Sequence, residues 1–187
     1  GLRGVAFCQD LTLYYPVALV TDGTQVDGHV LVGAAELGNT ILLESMVSTF
    51  ENCFDLEELD LSSFDTQSVV DMSKLFKDSK NLRTIKIPKF DTSQVTNLYR
   101  MFSGCSSLVS VDVSRFNTAK VVEINNMFDS CSSLTSIDVS NFRVDNVQDI
   151  SAMFVGCTNL EYLDVSNFKT SQATITSSMF SRCYKLK

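Results

Sequence analysis

The chain has no tryptophan, only two prolines and a single histidine, and its formal net charge is −7. With His29 as the one histidine, a histidine-based catalytic triad and a multi-histidine metal site are excluded. The excess of acidic residues argues against nucleic acid as a partner, because phosphates require a basic surface. No apolar run reaches the roughly 18 residues of a membrane helix, so no membrane insertion is expected. Phosphate-binding glycine motifs are also missing, and we expect neither catalysis nor a cofactor.

What the chain does contain is a repeat of 26 residues. A cysteine column follows this spacing, skips one position at Ser79, and consists of Cys53, Cys105, Cys131, Cys157 and Cys183. One phenylalanine column consists of Phe64, Phe90, Phe116, Phe142 and Phe168. A second consists of Phe50, Phe76, Phe102, Phe128, Phe154 and Phe180. Matching residues at a fixed spacing are typical of stacked units, so we predict a repeat solenoid in which these columns form inner structural ladders.

Within one unit the apolar spacing changes. Residues 59–61 alternate between apolar and polar, as in a short half-buried strand. Residues 69–76 carry apolar side chains at spacings of three and four, which predicts a short helix. A threonine column precedes this apolar stripe and consists of Thr66, Thr92, Thr118 and Thr170. The threonine hydroxyl could cap the N-terminus of the helix. We therefore predict an α/β solenoid, a right-handed coil with one parallel β-sheet and short helices on the other face.

The repeat does not extend over the whole chain. Residues 1–40 do not follow it, and they contain strand-like runs at 5–7, 11–14 and 17–20. We interpret residues 1–40 as a strand-rich N-terminal cap, because solenoids need covered ends. Residues 41–187 then form about five 26-residue units with partial units at both ends. The last unit stops before its strand, so we expect either a longer array or self-association through an open end.

The repeat resembles the BspA-like (bacterial surface protein) group of leucine-rich repeats, whose units read MF-x-x-C-x-x-L-x-x-[LIV]-D-[LV]-S-x-F-[DN]-T-x-x-V. The matching residues of one unit are Met101, Phe102, Cys105, Leu108, Val111, Asp112, Val113, Ser114, Phe116, Asn117, Thr118 and Val121. The sequence departs from this pattern at Ser79, Lys86, Val144, Ala173 and Thr176. The resemblance implies a leucine-rich-repeat-like solenoid on a secreted or cell-surface protein, often an adhesin.

The cysteine column has two interpretations. Cysteines of a secreted chain often form disulfides. Equivalent residues of stacked units point in the same direction, however, so we favour buried, reduced cysteines that act as small apolar residues. No metal site is expected, because the cysteines form no convergent pairs. Cys8 lies outside the column and could be free or paired.

An acidic column occupies the outward position of successive strands. Its members are Asp60, Asp112, Asp138 and Asp164, and Lys86 interrupts it. Like charges at strand spacing repel each other, so something must compensate. Hydrogen bonds from neighbouring serines or backbone amides are one possibility, and a cation or a basic partner segment is the other.

Three functions remain open. The first is a non-enzymatic, extracellular or cell-surface binding module for a protein or glycan. Its candidate partner-binding face consists of Glu58, Asp60, Arg83, Lys86, Asp112, Asp138, Tyr162 and Asp164. The second is a structural stalk or a filament subunit that assembles end to end. The third is an intracellular scaffold.

Overall fold

The structure, a computed structural model, describes residues 19–21, 30–34, 45–62 and 64–187. Its strands are β1 (Leu19–Thr21), β2 (Val30–Ala34), β3 (Glu58–Asp60) and β4 (Thr84–Lys86). They form one sheet in that order, in which β1 and β2 are antiparallel and the other pairs are parallel. β1 overlaps the predicted strand at 17–20. The predicted strands at 5–7 and 11–14, like His29, lie outside the described residues, and the boundary of the predicted cap stays a prediction.

The parallel pairing follows the sequence repeat. In β3 and β4, Leu59 lies opposite Ile85, which is 26 residues later. Further along the chain the same file continues as isolated parallel bridges, between Thr84 and Ser110 and between Ser136 and Tyr162. We number the units 1 to 5 as residues 45–70, 71–96, 97–122, 123–148 and 149–174, and residues 175–187 begin unit 6. This regular register confirms the predicted repeat solenoid.

The core is built from the predicted columns. Phe76, Phe102, Phe128 and Phe154 are fully buried, and ring centroids of neighbours in their column lie 5.3–6.1 Å apart. The other phenylalanine column is also buried from Phe64 to Phe142, whereas Phe168 is half-buried. Stacking therefore buries apolar surface that a single unit would leave in water.

A ladder of turns takes the place of the predicted helices. In unit 2, alternate N–H groups donate to carbonyls of unit 3 over 2.7–3.0 Å, and the pairs are Met72 to Asn97, Lys74 to Tyr99, Phe76 to Met101 and Asp78 to Ser103. The N–H groups in between close turns within the unit, as Lys77 does with the carbonyl of Lys74 at 3.0 Å. We call residues 72–79, their equivalents and these bonds the turn ladder. It links each unit to the next, from unit 1 to unit 6.

The prediction of short helices is therefore wrong for the described residues, which contain none. Lys74 and Asp78 have φ angles of 57° and 58°, and their equivalents in the other units also have positive φ. Left-handed residues four apart interrupt a right-handed helix and turn alternate N–H groups toward the neighbouring unit. The apolar spacing of three and four is kept because successive turns place side chains inward at similar intervals.

The threonine column does not cap helices either. The hydroxyl of Thr118 donates to the carbonyl of Arg143 at 3.0 Å and accepts the N–H of the same residue at 2.6 Å. Thr66 and Thr92 bind Asp91 and Asn117 in the same way. These threonines are 1% exposed, so each buried hydroxyl both donates and accepts a bond between units.

The backbone geometry of the turn ladder predicts how substitutions at Gly104 and Ala152 change the free energy of unfolding. Gly104 has a φ of +77°, and a Cβ there would lie 2.3 Å from Oδ1 and 3.2 Å from Cα of Asp78. Gly104→Ala is expected to lower the free energy of unfolding by about 1–2 kcal/mol, the cost of a left-handed non-glycine residue. Ala152 already has a φ of 53°, so the reverse change, Ala152→Gly, should not destabilise the chain. Urea denaturation measures both, and equal destabilisation by the two variants would contradict the proposed geometry.

Candidate interaction face

Strand alternation produces one outward surface along the coil. In unit 1, Leu59 and Leu61 point into the core, whereas Glu58 and Asp60 point outward. We define the strand face as the outward residues of units 1 to 5, which are Glu57, Glu58, Asp60, Arg83, Thr84, Lys86, Val109, Ser110, Asp112, Thr135, Ser136, Asp138, Glu161, Tyr162 and Asp164. All of these residues are exposed except Asp60, which is half-buried.

The aspartates of the strand face are held by the serines that follow them. The carboxylate of Asp112 accepts the N–H of Ser114 at 3.1 Å and its hydroxyl at 2.6 Å. Asp138 and Asp164 each accept the N–H of the serine two residues later at 2.9 Å. These hydrogen bonds lower the pKa of all three carboxyls, so they stay ionised. Local hydrogen bonds are thus present, as the first interpretation of this column requires.

The charges of the strand face are matched at one end and unmatched at the other. Between units 1 and 2, Lys86 Nζ lies 3.5 Å from Asp60 Oδ2, and Arg83 pairs with Glu57 at 3.8 Å. Asp112, Asp138 and Asp164 form no ion pair with any described residue. Within the described part of the chain, no group of three or more His, Cys, Asp or Glu side chains could hold a metal ion. The aspartates of units 3 to 5 therefore carry negative charge that no ion pair among the described residues neutralises.

Two large apolar side chains stand beside those aspartates. Tyr162 is 66% exposed and Val109 is 48% exposed. Tyr162 follows Ser110 and Ser136 in one file along the coil, and both serines are exposed and small. The strand face of units 3 to 5 thus combines fixed carboxylates, hydroxyls and one prominent aromatic ring. Such a surface can form hydrogen bonds, accept cationic groups and stack on a flat ligand.

The cysteine column lies inside the coil, away from the strand face. The thiol of Cys105 donates to the carbonyl of Phe76 in the preceding unit at 3.1 Å, and Cys131, Cys157 and Cys183 bond the equivalent carbonyls at 3.0–3.1 Å. Ser79 makes the same bond to Phe50 at 2.6 Å, which explains why serine fits this column. These four cysteines are free thiols, whereas Cys53 is disulfide-bonded. For Cys53 the prediction of a reduced thiol is wrong; this cysteine belongs to unit 1, whose strand β3 pairs with β2 outside the repeat.

Sequence comparison assigns the chain to a family. The model of the family described as "Mycoplasma protein of unknown function, DUF285" matches residues 43–138 and 109–187, which together cover most of the chain. The chain belongs to the DUF285 family. DUF285 is a BspA-type repeat family, so the resemblance inferred from the repeat is confirmed. No curated protein matches the chain in sequence.

Solved structures similar to this DUF285 chain are leucine-rich repeat proteins. A leucine rich cell surface protein of Faecalibacterium prausnitzii has a TM-score of 0.45 at 21% identity, with 83% of this chain and 37% of that protein covered. A leucine rich repeat protein of T. pallidum has a TM-score of 0.47 at 19% identity, with 85% and 78% covered. One from Bacteroides ovatus has a TM-score of 0.35 at 18% identity, with 78% and 46% covered. The DUF285 chain thus spans well under half of the Faecalibacterium protein.

The strand face brings together every partner-binding candidate that the sequence indicated. Glu58, Asp60, Arg83, Lys86, Asp112, Asp138, Tyr162 and Asp164 all lie on it, because residues 26 apart stack in one file. That they bind a partner stays a prediction.

No helix among the described residues of this DUF285 chain is long and apolar enough to cross a membrane. The sequence pattern did not predict the turn ladder. One signal for it exists at equivalent positions of four units, where Asn52, Asp78, Gly104 and Gly156 are residue types that favour the left-handed conformation.

The free thiols of the DUF285 chain should differ sharply in reactivity. Burial raises the pKa of Cys105 and Cys157 to about 12 and that of Cys131 well above its usual value. Burial also raises the pKa of Cys183, but this residue is only half-buried. Because the thiolate is the reactive form, iodoacetamide should label Cys183 first in the native chain and the other three only on unfolding. Peptide mass spectrometry measures the order in which the cysteines are labelled. If Cys131 were labelled as fast as Cys183, the core around Cys131 would not be closed to solvent.

Proposed function

We propose that the chain is a non-enzymatic interaction module at the cell surface or outside the cell, and that the strand face of units 3 to 5 binds a protein or glycan partner. The observation that carries this proposal is the unmatched half of the strand face. Asp112, Asp138 and Asp164 have fixed, ionised carboxylates that form no ion pair with a described residue, and Tyr162 stands among them with 66% of its surface exposed. Hydrogen bonds to the following serines hold these aspartates in place, and they leave the carboxylates and the ring of Tyr162 exposed to solvent and to a partner.

The chemistry of the face favours an adhesion-type contact. Exposed aromatic residues surrounded by hydrogen-bonding groups are enriched at protein interfaces. A partner with basic side chains would meet complementary charge, and its association would weaken as salt screens the carboxylates. The BspA-type repeat supports a location at the cell surface, because that is what the resemblance to BspA-like proteins implies.

The test uses a panel of immobilised extracellular-matrix proteins and a glycan array, probed with the labelled chain. Binding to a member of the panel should fall about tenfold in Tyr162→Ser, the loss expected when a central aromatic contact is removed. The matched control is Tyr184→Ser, because Tyr184 is 77% exposed but does not belong to the strand face. Equal binding by the wild-type chain and Tyr162→Ser, or an equal loss in Tyr184→Ser, would contradict the proposed face.

A further inference from the structure

Two half-buried cations of the turn ladder lack a directly bonded counter-charge. The side chains of Lys74 and Arg100 form no hydrogen bond and no ion pair with any described residue. Lys77 is also half-buried, but its Nζ lies 2.7 Å from Glu51 Oε1 and 2.9 Å from Asp78 Oδ2. Every other described lysine or arginine without an ion pair is exposed. Burial of an unpaired charge is unfavourable, so an anion is missing at Lys74 and Arg100.

The register of the turn ladder places these two cations side by side. Lys74 and Arg100 occupy equivalent positions of units 2 and 3, and the N–H of Lys74 donates to the carbonyl of Tyr99 at 2.8 Å. Their φ angles are 57° and 55°, so the two side chains leave the backbone in the same direction. The rungs are about 5 Å apart, and like charges at this spacing repel each other. An anion bound between the two side chains would remove this repulsion.

The guanidinium of Arg100 is held in place but not hydrogen-bonded. Its Cζ lies 5.2 Å from the centroid of the Tyr99 ring. Its Nε is buried and has no hydrogen-bond partner, and no other side-chain nitrogen or oxygen in the described part of the chain is in this position. Buried donors without an acceptor are rare in folded proteins. The contact with the ring therefore orients the guanidinium and leaves its N–H donors available to a ligand.

We call Lys74, Tyr99 and Arg100 the basic site, and we propose that it binds a carboxylate in an acidic segment of a protein partner. A guanidinium pairs with a carboxylate through two parallel N–H···O bonds, and side-on pairing uses Nε, the atom that lacks an acceptor. The ammonium of Lys74 lies beside the same carboxylate.

Two features of the chain favour this ligand over other anions. Tyrosine and arginine are enriched at protein interfaces, and the basic site presents both, at Tyr99 and Arg100. A protein carboxylate carries a single charge. The net charge of −7 opposes the approach of a polyanion, but it opposes a single carboxylate much less.

This inference does not depend on the strand face, and its test is separate. The full chain, isotope-labelled, is titrated with a capped peptide of alternating glutamate and glycine, and NMR follows the Nε–H signal of Arg100. The signal should shift with half-saturation at about 1 mM peptide, the affinity of a few charge-assisted contacts. A peptide with glutamine in place of glutamate should cause no shift. Tyr162→Ser should bind the glutamate peptide normally, and a loss there would overturn the assignment to the basic site.

Three variants locate the contact, and the backbone N–H signal of Tyr99 follows binding in each. Arg100→Lys keeps the charge but removes the planar guanidinium, so binding should weaken about tenfold. Lysine already occupies the equivalent position at Lys74 with the same φ, so this variant should fold normally. Lys74→Gln should weaken binding about threefold, the effect of losing one partly solvated charge. Arg115→Gln is the matched control, because Arg115 is an exposed arginine of unit 3 without an ion pair.

Four results would contradict the proposal. No shift with the glutamate peptide, or an equal shift with the glutamine peptide, would show that the basic site does not bind carboxylates. A loss in Arg115→Gln as large as that in Arg100→Lys would show only general attraction to positive charge. Glucuronate that bound more tightly than the peptide would overturn the assignment to a protein partner.

Discussion

Replacing Phe128 by alanine is expected to lower the free energy of unfolding by about 3–5 kcal/mol, the usual cost of truncating a fully buried phenylalanine. The ring of Phe128 is 0% exposed and is stacked between Phe102 and Phe154, at centroid distances of 5.3 and 5.6 Å. Its removal leaves a cavity in the middle of a continuous stack, and neighbouring rungs cannot close that cavity without breaking turn-ladder bonds. Guanidinium denaturation followed by circular dichroism measures the change.

Phe180→Ala is the matched control for this prediction. Phe180 belongs to the same column, but it is 39% exposed and contacts a ring on one side only, Phe154 at 6.1 Å. We expect its truncation to cost less than half as much, because water already reaches the ring. If Phe128→Ala and Phe180→Ala destabilised the chain equally, the phenylalanine column would not be the continuous inner stack described here.

The stacking of equivalent residues into columns could be predicted because these residues recur at a fixed spacing in the sequence. Every buried phenylalanine stack, the cysteine column and the strand register follow from residues that recur after 26 positions. The strand face follows as well, because Glu58 and Asp60 alternate with buried leucines. The pairing of Lys86 with Asp60 is a consequence of the same register, since the two residues stand one unit apart.

The turns could not be predicted from spacing alone. Apolar residues at intervals of three and four fit a helix and a series of turns equally well, so residues 69–76 are ambiguous. The difference lies in the sign of φ at Lys74 and Asp78 and in N–H partners 25 residues away, as for Lys74 and Tyr99. Lysine gives no local indication of a left-handed conformation. A comparison of equivalent positions in different units does indicate this conformation at positions 52, 78, 104 and 156, where asparagine, aspartate and glycine occur.

Cys53 shows a second limit of reasoning from a repeat. Its place in the column is the same as that of Cys105, yet Cys53 is disulfide-bonded and Cys105 is a free thiol. For an inner unit, which has a repeat unit on both sides, a residue's place in the column predicts that its side chain is buried and that it points into the core. Unit 1 instead pairs on one side with β2, which lies outside the repeat, so the chemistry on that side is not encoded in the 26-residue unit.

The threonine column gives the second large prediction. Thr118→Val keeps the shape of the side chain but removes a hydroxyl that bonds both the carbonyl and the N–H of Arg143, at 3.0 and 2.6 Å. Thr118 is 1% exposed, so water has little access to the position that the hydroxyl leaves. Leaving two backbone groups without partners should lower the free energy of unfolding by about 2–3 kcal/mol. Urea denaturation measures this change.

The matched control is Thr135→Val, since Thr135 is an exposed threonine of the strand face. Its hydroxyl is solvated before and after folding, so the same substitution should change the free energy of unfolding by less than about 0.5 kcal/mol. The column itself contains a valine at Val144, which is fully buried and has no hydroxyl to form this bridge. A cost for Thr118→Val no larger than that for Thr135→Val would mean that the hydroxyl bridge between units does not contribute to stability, and that apolar stacking alone holds the rungs together.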